Sequence, residues 1–252
     1  MNGQANPGPY DQKFYAFIAP GAYAAAQVFL PVVRRHYAFN SVCDVGCGAA
    51  TWLRAAGECI GPAARLTGID GEYARTIVNC PGAEFVFQDL EKPIAGVARH
   101  DLVMSLEVAE HLSAARAASF VDDLCRISDV ALFAAAIVHQ GGAGHVNEQP
   151  QSYWLEHFRR NGYSAYDVHR AELWRHPVFT NCAWYVGNSF LYIRDGHALA
   201  DKLADYRLSE RDLVDVVHPD LLRGWAEAGF RISVINTFGA LRRAIARRLR
   251  RS

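Results

Sequence analysis

The stretch Ser41-Val-Cys-Asp-Val-Gly-Cys-Gly-Ala-Ala-Thr-Trp-Leu53 constrains this chain more than any other. Val42, Cys43 and Val45 read as a short buried strand around Asp44, and Gly46 and Gly48 break that strand into a tight turn before a helix. Glycines in such a turn let backbone N–H groups come close to a ligand, and the start of the next helix offers unpaired donors to an anionic group. Strand, turn and helix in this order also make the first unit of a parallel α/β sheet.

The chain continues that alternation. Arg65–Ile69 is a second strand ending at Asp70, Tyr73–Asn79 a helix, and Glu84–Gln88 a third strand ending at Asp89. Asp101–Leu106 is a fourth strand that runs into Glu107, and a helix follows from Val108 or Ser113 to Ile127. Val130–Val138 is the most apolar strand and should lie centrally. A glycine-rich loop then leads into a helix over Gln151–Arg160, closed by Asn161-Gly162. Tyr163–His169 and Trp184–Ile193 are the sixth and seventh strands, with a loop around Pro177 between them. The expected architecture is therefore α/β, a Rossmann-like seven-stranded, mostly parallel sheet flanked by helices.

Helical additions are expected at both ends. Residues 1–35 form an N-terminal segment and cap: a short aromatic helix over Tyr10–Phe17, then a helix over Ala22–Tyr37 interrupted at Pro31. Packing of its rings on the core is the plain role for the first of these, and a lid in which Tyr10 or Tyr15 touches a ligand is the alternative. Residues 36–195 form the α/β domain, and 196–252 a helical extension.

Charge separates that extension from the rest. The formal net charge is zero, yet Phe238 to Ser252 holds six arginines and no acid, so the remainder carries −6. Phe238, Leu241, Ile245 and Leu249 recur at helical spacing among those arginines, a pattern that suits the headgroup region of an anionic membrane, with nucleic acid a weaker candidate and a solvated end packed on the domain the plain alternative. The six cysteines contain no C-x-x-C pair and read as reduced thiols, no apolar run approaches the ~20 residues of a membrane span, and the first residues lack a secretory pattern. The expected location is cytoplasmic, with peripheral contact at the inner face of the membrane through 238–252.

In an open parallel sheet, ligands bind outside the carboxyl ends of the strands. Asp44, Asp70 and Asp89 all fall there. A carboxylate after the second strand can accept both hydroxyls of a ribose, and one after the third can accept the exocyclic amine of adenine, so the ligand implied is a nucleoside. A dinucleotide fits less well, because the sequence has Thr51 where Gly-x-Gly-x-x-Gly needs its third glycine.

Val-Cys-Asp-Val-Gly-Cys-Gly, Thr-Gly-Ile-Asp70, Phe-Gln-Asp89-Leu and Asp101-Leu-Val-Met-Ser-Leu-Glu-Val-Ala-Glu-His111-Leu resemble the consecutive motifs of class I S-adenosylmethionine-dependent methyltransferases. The resemblance implies that the Gly46/Gly48 turn holds the methionine moiety, Asp70 the ribose, and Asp89 with Leu90 the adenine, with Asp44 and Leu106 also at the cofactor. Glu107, Glu110 and His111 stand at i, i+3 and i+4, so in a helix they share one face, and His145 follows the fifth strand at the same edge of the sheet. Two carboxylates and an imidazole over one cleft repel or shift each other's pKa values unless a cation joins them.

That Glu-x-x-Glu-His signature resembles the metal site of O-methyltransferases of ubiquinone biosynthesis and of small-RNA 2′-O-methyltransferases. It implies Mg²⁺ or Mn²⁺ on Glu107, Glu110, His111 and His145. The signature also occurs in methyltransferases without a metal, and both readings stand at this point. The loop Gly141 to Trp154 resembles a bacterial group linked with sugar, envelope or secondary-metabolite pathways. The expected activity is O-methylation of a hydroxyl on a small molecule or carbohydrate precursor, with Glu107, His111 and His145 as catalytic groups. Metal-independent O- or N-methylation with a histidine base is the first alternative, and a non-catalytic nucleoside-binding adaptor is the second.

Overall fold

The computed structural model describes residues 12–209, 212 and 214–226, with the backbone alone for 12–17. Seven strands form one sheet: β1 (Ser41–Val45), β2 (Arg65–Asp70), β3 (Glu84–Phe87), β4 (Leu102–Leu106), β5 (Val130–Ala134), β6 (Tyr163–Tyr166) and β7 (Phe190–Arg194). Their order is β3-β2-β1-β4-β5-β7-β6, parallel except that β7 runs antiparallel to both β5 and β6. The order reverses between β1 and β4, and that crevice at the carboxyl ends is where such a sheet binds ligands.

Both faces are covered, as continuous apolar strands require. Val42, Leu66, Leu102, Met104, Leu132 and Leu191 face one core with α1 (Gln12–His36) and α2 (Thr51–Ile60). Their sequence neighbours Cys43, Val45, Val103, Ala131, Phe133, Phe190 and Tyr192 face the other, with α3 (Ala117–Ile127) and α4 (Gln151–Arg160). The period of two along each strand produces this division. Residues through Val216 form one compact unit and those from Val217 a second, in which 219–226 are helical.

Several expected boundaries move. The N-terminal helices are one continuous α1 that contains Pro20 and Pro31. Both prolines lie on the exposed side, while Ala25, Ala26, Phe29, Leu30, Val32 and Val33 stay buried in register, so tertiary packing carries the helix past its breaker. β5 stops at Ala134 rather than Val138, because pairing with Leu106 on one side and Phe133–Phe190 on the other ends there. The expected helix over 73–79 is a single 3-10 segment, Glu72–Thr76.

The sixth strand ends at Tyr166 because Asp167 turns to cap the helix Arg170–Leu173, Oδ1 accepting from Arg170 N at 3.0 Å. Trp184–Gly187 is helical, and only Phe190–Arg194 is strand; an apolar run of that length has no period that separates the two states. Residues 196–217 hold short helices at Ala198–Lys202 and Ala204–Tyr206, then an extended stretch that pairs with the β6 edge through Leu208 N to Ala165 O. An edge strand is thereby covered. Tyr10 and the segment 238–252 lie outside the described residues, as does the Tyr15 side chain. No helix among the described residues is long and apolar enough to cross a membrane.

Candidate functional site

The glycine turn is built by contact on both sides. Gly46 takes φ 82° and Gly48 φ 52°, left-handed values that favour glycine. A Cβ on Gly46 would stand 2.3 Å from Val108 Cγ2, so the turn is pressed against the segment after β4. Gly46 N and Cys47 N both donate to Ile69 O, at 2.7 and 3.2 Å, and Gly48 N donates to Asp70 Oδ2 at 2.6 Å. The amides expected to face a ligand are thus engaged with the end of β2, and the turn and Asp70 form one unit.

Asp70 is nearly fully buried and accepts at Oδ1 from Gly71 N at 2.6 Å and from the Tyr73 hydroxyl at 2.5 Å. Burial raises its pKa, with the three hydrogen bonds pulling the other way. Asp44 is equally buried one strand over, and its pKa is pushed up to about 8, by burial first and then by the charge of Asp70. The third acid differs. Asp89 is half exposed, accepts from Glu91 N at 3.0 Å and pairs with Lys92 at 3.5 Å, while its neighbour Leu90 is buried in the core and Leu106 is half-buried.

The segment after β4 departs from expectation. Glu107 is not helical but takes φ 58°, and the turn after it is a 3-10 helix, Ala109–His111, so Glu107, Glu110 and His111 share no helical face. Glu107 N still pairs with Ala134 O, and the left-handed step then turns the chain away. The Glu107 carboxylate accepts from Gln140 Nε2 at 2.6 Å and Asn188 Nδ2 at 3.3 Å, and Asn188 Nδ2 also reaches Gln140 Oε1 at 2.8 Å. Burial pushes the pKa of Glu107 up to about 7 against those two donors.

Glu110, His111 and His145 do converge. One ligand atom from each lies within 4.8 Å of the others, and the rings of His111 and His145 meet edge to face at 4.8 Å between centroids. Glu110 is completely buried, and neither carboxylate oxygen has a hydrogen-bond partner. Its pKa is raised well above the usual range, by burial first and then by the charge of Glu107. The loop is pinned over this carboxylate, since Val146 N and Asn147 N both donate to Glu110 O. His145 Nε2 stands 4.0 Å from Glu110 Oε1, while its Nδ1 contacts Glu148 Oε1 at 2.8 Å. His111 Nδ1 lies 3.3 Å from Gly144 O, and burial lowers its pKa.

The structure therefore brings three of the four expected metal ligands together and sends Glu107 to a neighbouring amide pair. Gln140, Glu148 and Asn188 were missed from sequence. Glu148 carried a faint signal, three residues after His145, whereas Asn188 lay inside an expected strand and gave none.

No family model matches the chain, and no curated protein matches it. Among solved structures it is similar to the sugar N-methyltransferase KedS8 of Streptoalloteichus sp. ATCC 53650, with a TM-score of 0.53 and 15% identity over 77% of this chain and 96% of that one. It is also similar to an O-methyltransferase family protein of Burkholderia thailandensis, with a TM-score of 0.52 and 15% identity over 71% of this chain and 57% of the other. The chain thus spans little more than half of the Burkholderia protein. In strand order, in the antiparallel seventh strand and in the helices on both faces, this chain has the class I methyltransferase fold.

Proposed function

We propose that the protein is an S-adenosylmethionine-dependent methyltransferase that acts on a hydroxyl of a small molecule or carbohydrate precursor. The observation that carries this reading is the pair of buried carboxylates, Asp44 and Asp70, at the carboxyl ends of β1 and β2 beside the Gly46/Gly48 turn. A buried carboxylate whose pKa is raised seeks a cation or a hydrogen-bond donor. A ligand with an ammonium, a sulfonium and a ribose diol offers all of these, so the donor set fits the cofactor. Asp44 faces the cationic end, Asp70 accepts the ribose hydroxyls, and Asp89 with Leu90 takes the adenine.

The cofactor supplies a methyl group already activated by positive sulfur, so the protein has to align the acceptor oxygen and take up its proton. Glu110, His111 and His145 fit a divalent cation, because a buried carboxylate with two unpartnered oxygens beside two imidazoles is costly without one. One carboxylate with two imidazoles suits Mn²⁺ better than Mg²⁺. Such a cation acts as a Lewis acid that makes an alcohol proton easier to remove.

A second reading rests on Glu148. By holding His145 Nδ1 it fixes the tautomer that leaves Nε2 as a base, which serves metal-independent transfer to oxygen or nitrogen. Methyl-labelled cofactor with a panel of phenols, glycosides and amino sugars, before and after exhaustive chelation, separates the two. Transfer to oxygen that chelation abolishes and Mn²⁺ restores supports the metal reading, whereas undiminished transfer moves the chemistry to His145. Cofactor binding with no transfer to any acceptor would instead make the protein a nucleoside-binding adaptor.

A further inference from the structure

Among the described residues, the most heavily bonded buried charges lie beside the segment proposed to take the adenine. Arg116 and Asp123 are ion-paired with side chains 3% and 4% exposed. A buried ion pair is a poor device for stability alone, because apolar residues of the same volume often serve as well or better. What this pair offers is directed hydrogen bonds.

Arg116 donates from Nε to Leu90 O at 2.9 Å, from Nη2 to Lys92 O at 3.0 Å and from Nη1 to Ser119 Oγ at 2.7 Å. Asp123 accepts from Ile94 N at 2.8 Å and from Arg126 at 2.8 Å, and Arg126 also donates to Ile94 O. On the outer side, Glu91 accepts from Ser113 N at 2.6 Å and Ser113 Oγ at 2.9 Å. Residues 90 to 94 are thus gripped at alternate backbone groups from α3 and the residues before it. Half-exposed Asp89 begins this segment and buried Leu90 is held directly by Arg116.

We infer that Arg116 and Asp123 are positioning residues for the base: the pair fixes the 90–94 backbone so that Asp89 and Leu90 discriminate adenine. This rests on the cofactor reading above. Arg116 is required as arginine, because a lysine would hold the charge beside Asp123 but has no planar fork to reach both carbonyls. Selectivity then depends on Arg116, although the side chain never meets the base.

The test is calorimetric titration with S-adenosylhomocysteine and with S-inosylhomocysteine, in which an oxo group replaces the amine that Asp89 would accept. Wild type should favour the adenosyl compound by at least about tenfold. Arg116→Lys should weaken the adenosyl compound by about tenfold and the inosyl compound much less, so that the ratio falls towards one. Asp70→Asn should weaken both alike, since the ribose is common. If Arg116→Lys melts at the assay temperature, the double variant Arg116→Met/Asp123→Leu, which buries no charge, takes its place with the same expectation. Equal weakening of both compounds, an unchanged ratio, or a wild type without preference overturns the positioning role and leaves the cofactor reading standing. A wild type that binds neither compound overturns the cofactor reading, and this inference with it.

Discussion

At the residue scale, Asp44 sets a pH dependence. Its carboxyl has a pKa of about 8 in the folded chain against an ordinary value near 3.8, so between these the folded state keeps a proton that the unfolded state has released. Stability therefore falls as pH rises through that window, and below it, where both states are protonated, the penalty is absent. Asp44→Asn should leave melting close to wild type at pH 4 and exceed it by several degrees at pH 8; parallel melting curves across that range would count against the burial of this charge. Tyr73 sets a second test. Its hydroxyl holds Asp70 Oδ1 at 2.5 Å, on the carboxylate proposed to accept the ribose hydroxyls, so Tyr73→Phe should tighten S-adenosylhomocysteine by about threefold to tenfold, the worth of one ordinary hydrogen bond. Weaker binding would mean that the phenol assists the ribose instead. Glu110→Gln keeps the shape of a buried side chain whose oxygens have no partners. Wild type should gain melting temperature with Mn²⁺ and the variant should gain none, and a wild type indifferent to Mn²⁺ would remove the metal from the site.

At the element scale, the turn between β1 and α2 works as one piece with the 3-10 turn after β4. Gly46 occupies a left-handed position and its missing Cβ is filled by Val108, so Gly46→Ala meets both a backbone and a steric penalty. The expected loss is about 2–4 kcal/mol, read as a lowered urea midpoint with an unchanged slope. Val108→Ala should recover part of that loss by opening space, and no recovery in the double variant would assign the cost to the backbone alone. The ends of β1 to β4 were legible because local signals mark them: buried apolar residues, then glycine or an acid. The segment 107–111 was not. Its Glu-x-x-Glu-His spacing is helical on paper, yet one residue at φ 58° breaks the spacing and redirects Glu107 to Gln140 and Asn188.

At the scale of the whole molecule, the arginine-rich segment 238–252 lies outside the described residues, and we propose it as a tether to anionic membrane. Co-sedimentation with phosphatidylserine vesicles should be salt-sensitive and disappear on truncation after Asn236; a protein that stays in the supernatant at low salt and retards RNA in a gel would reassign the segment. By itself the sequence determined the parallel sheet, the glycine turn and the acids at the ends of β1, β2 and β3, because these follow from periodicity and turn chemistry within a few residues of each position. Tertiary structure alone decided that α1 runs through Pro31, where buried neighbours outweigh one lost hydrogen bond. It alone placed His145 beside Glu110, joined Asn188 to Glu107 and buried Arg116 under Leu90. Those groups are separated by between 26 and 81 positions, and a local pattern records which face a side chain takes but not which distant partner will meet it there.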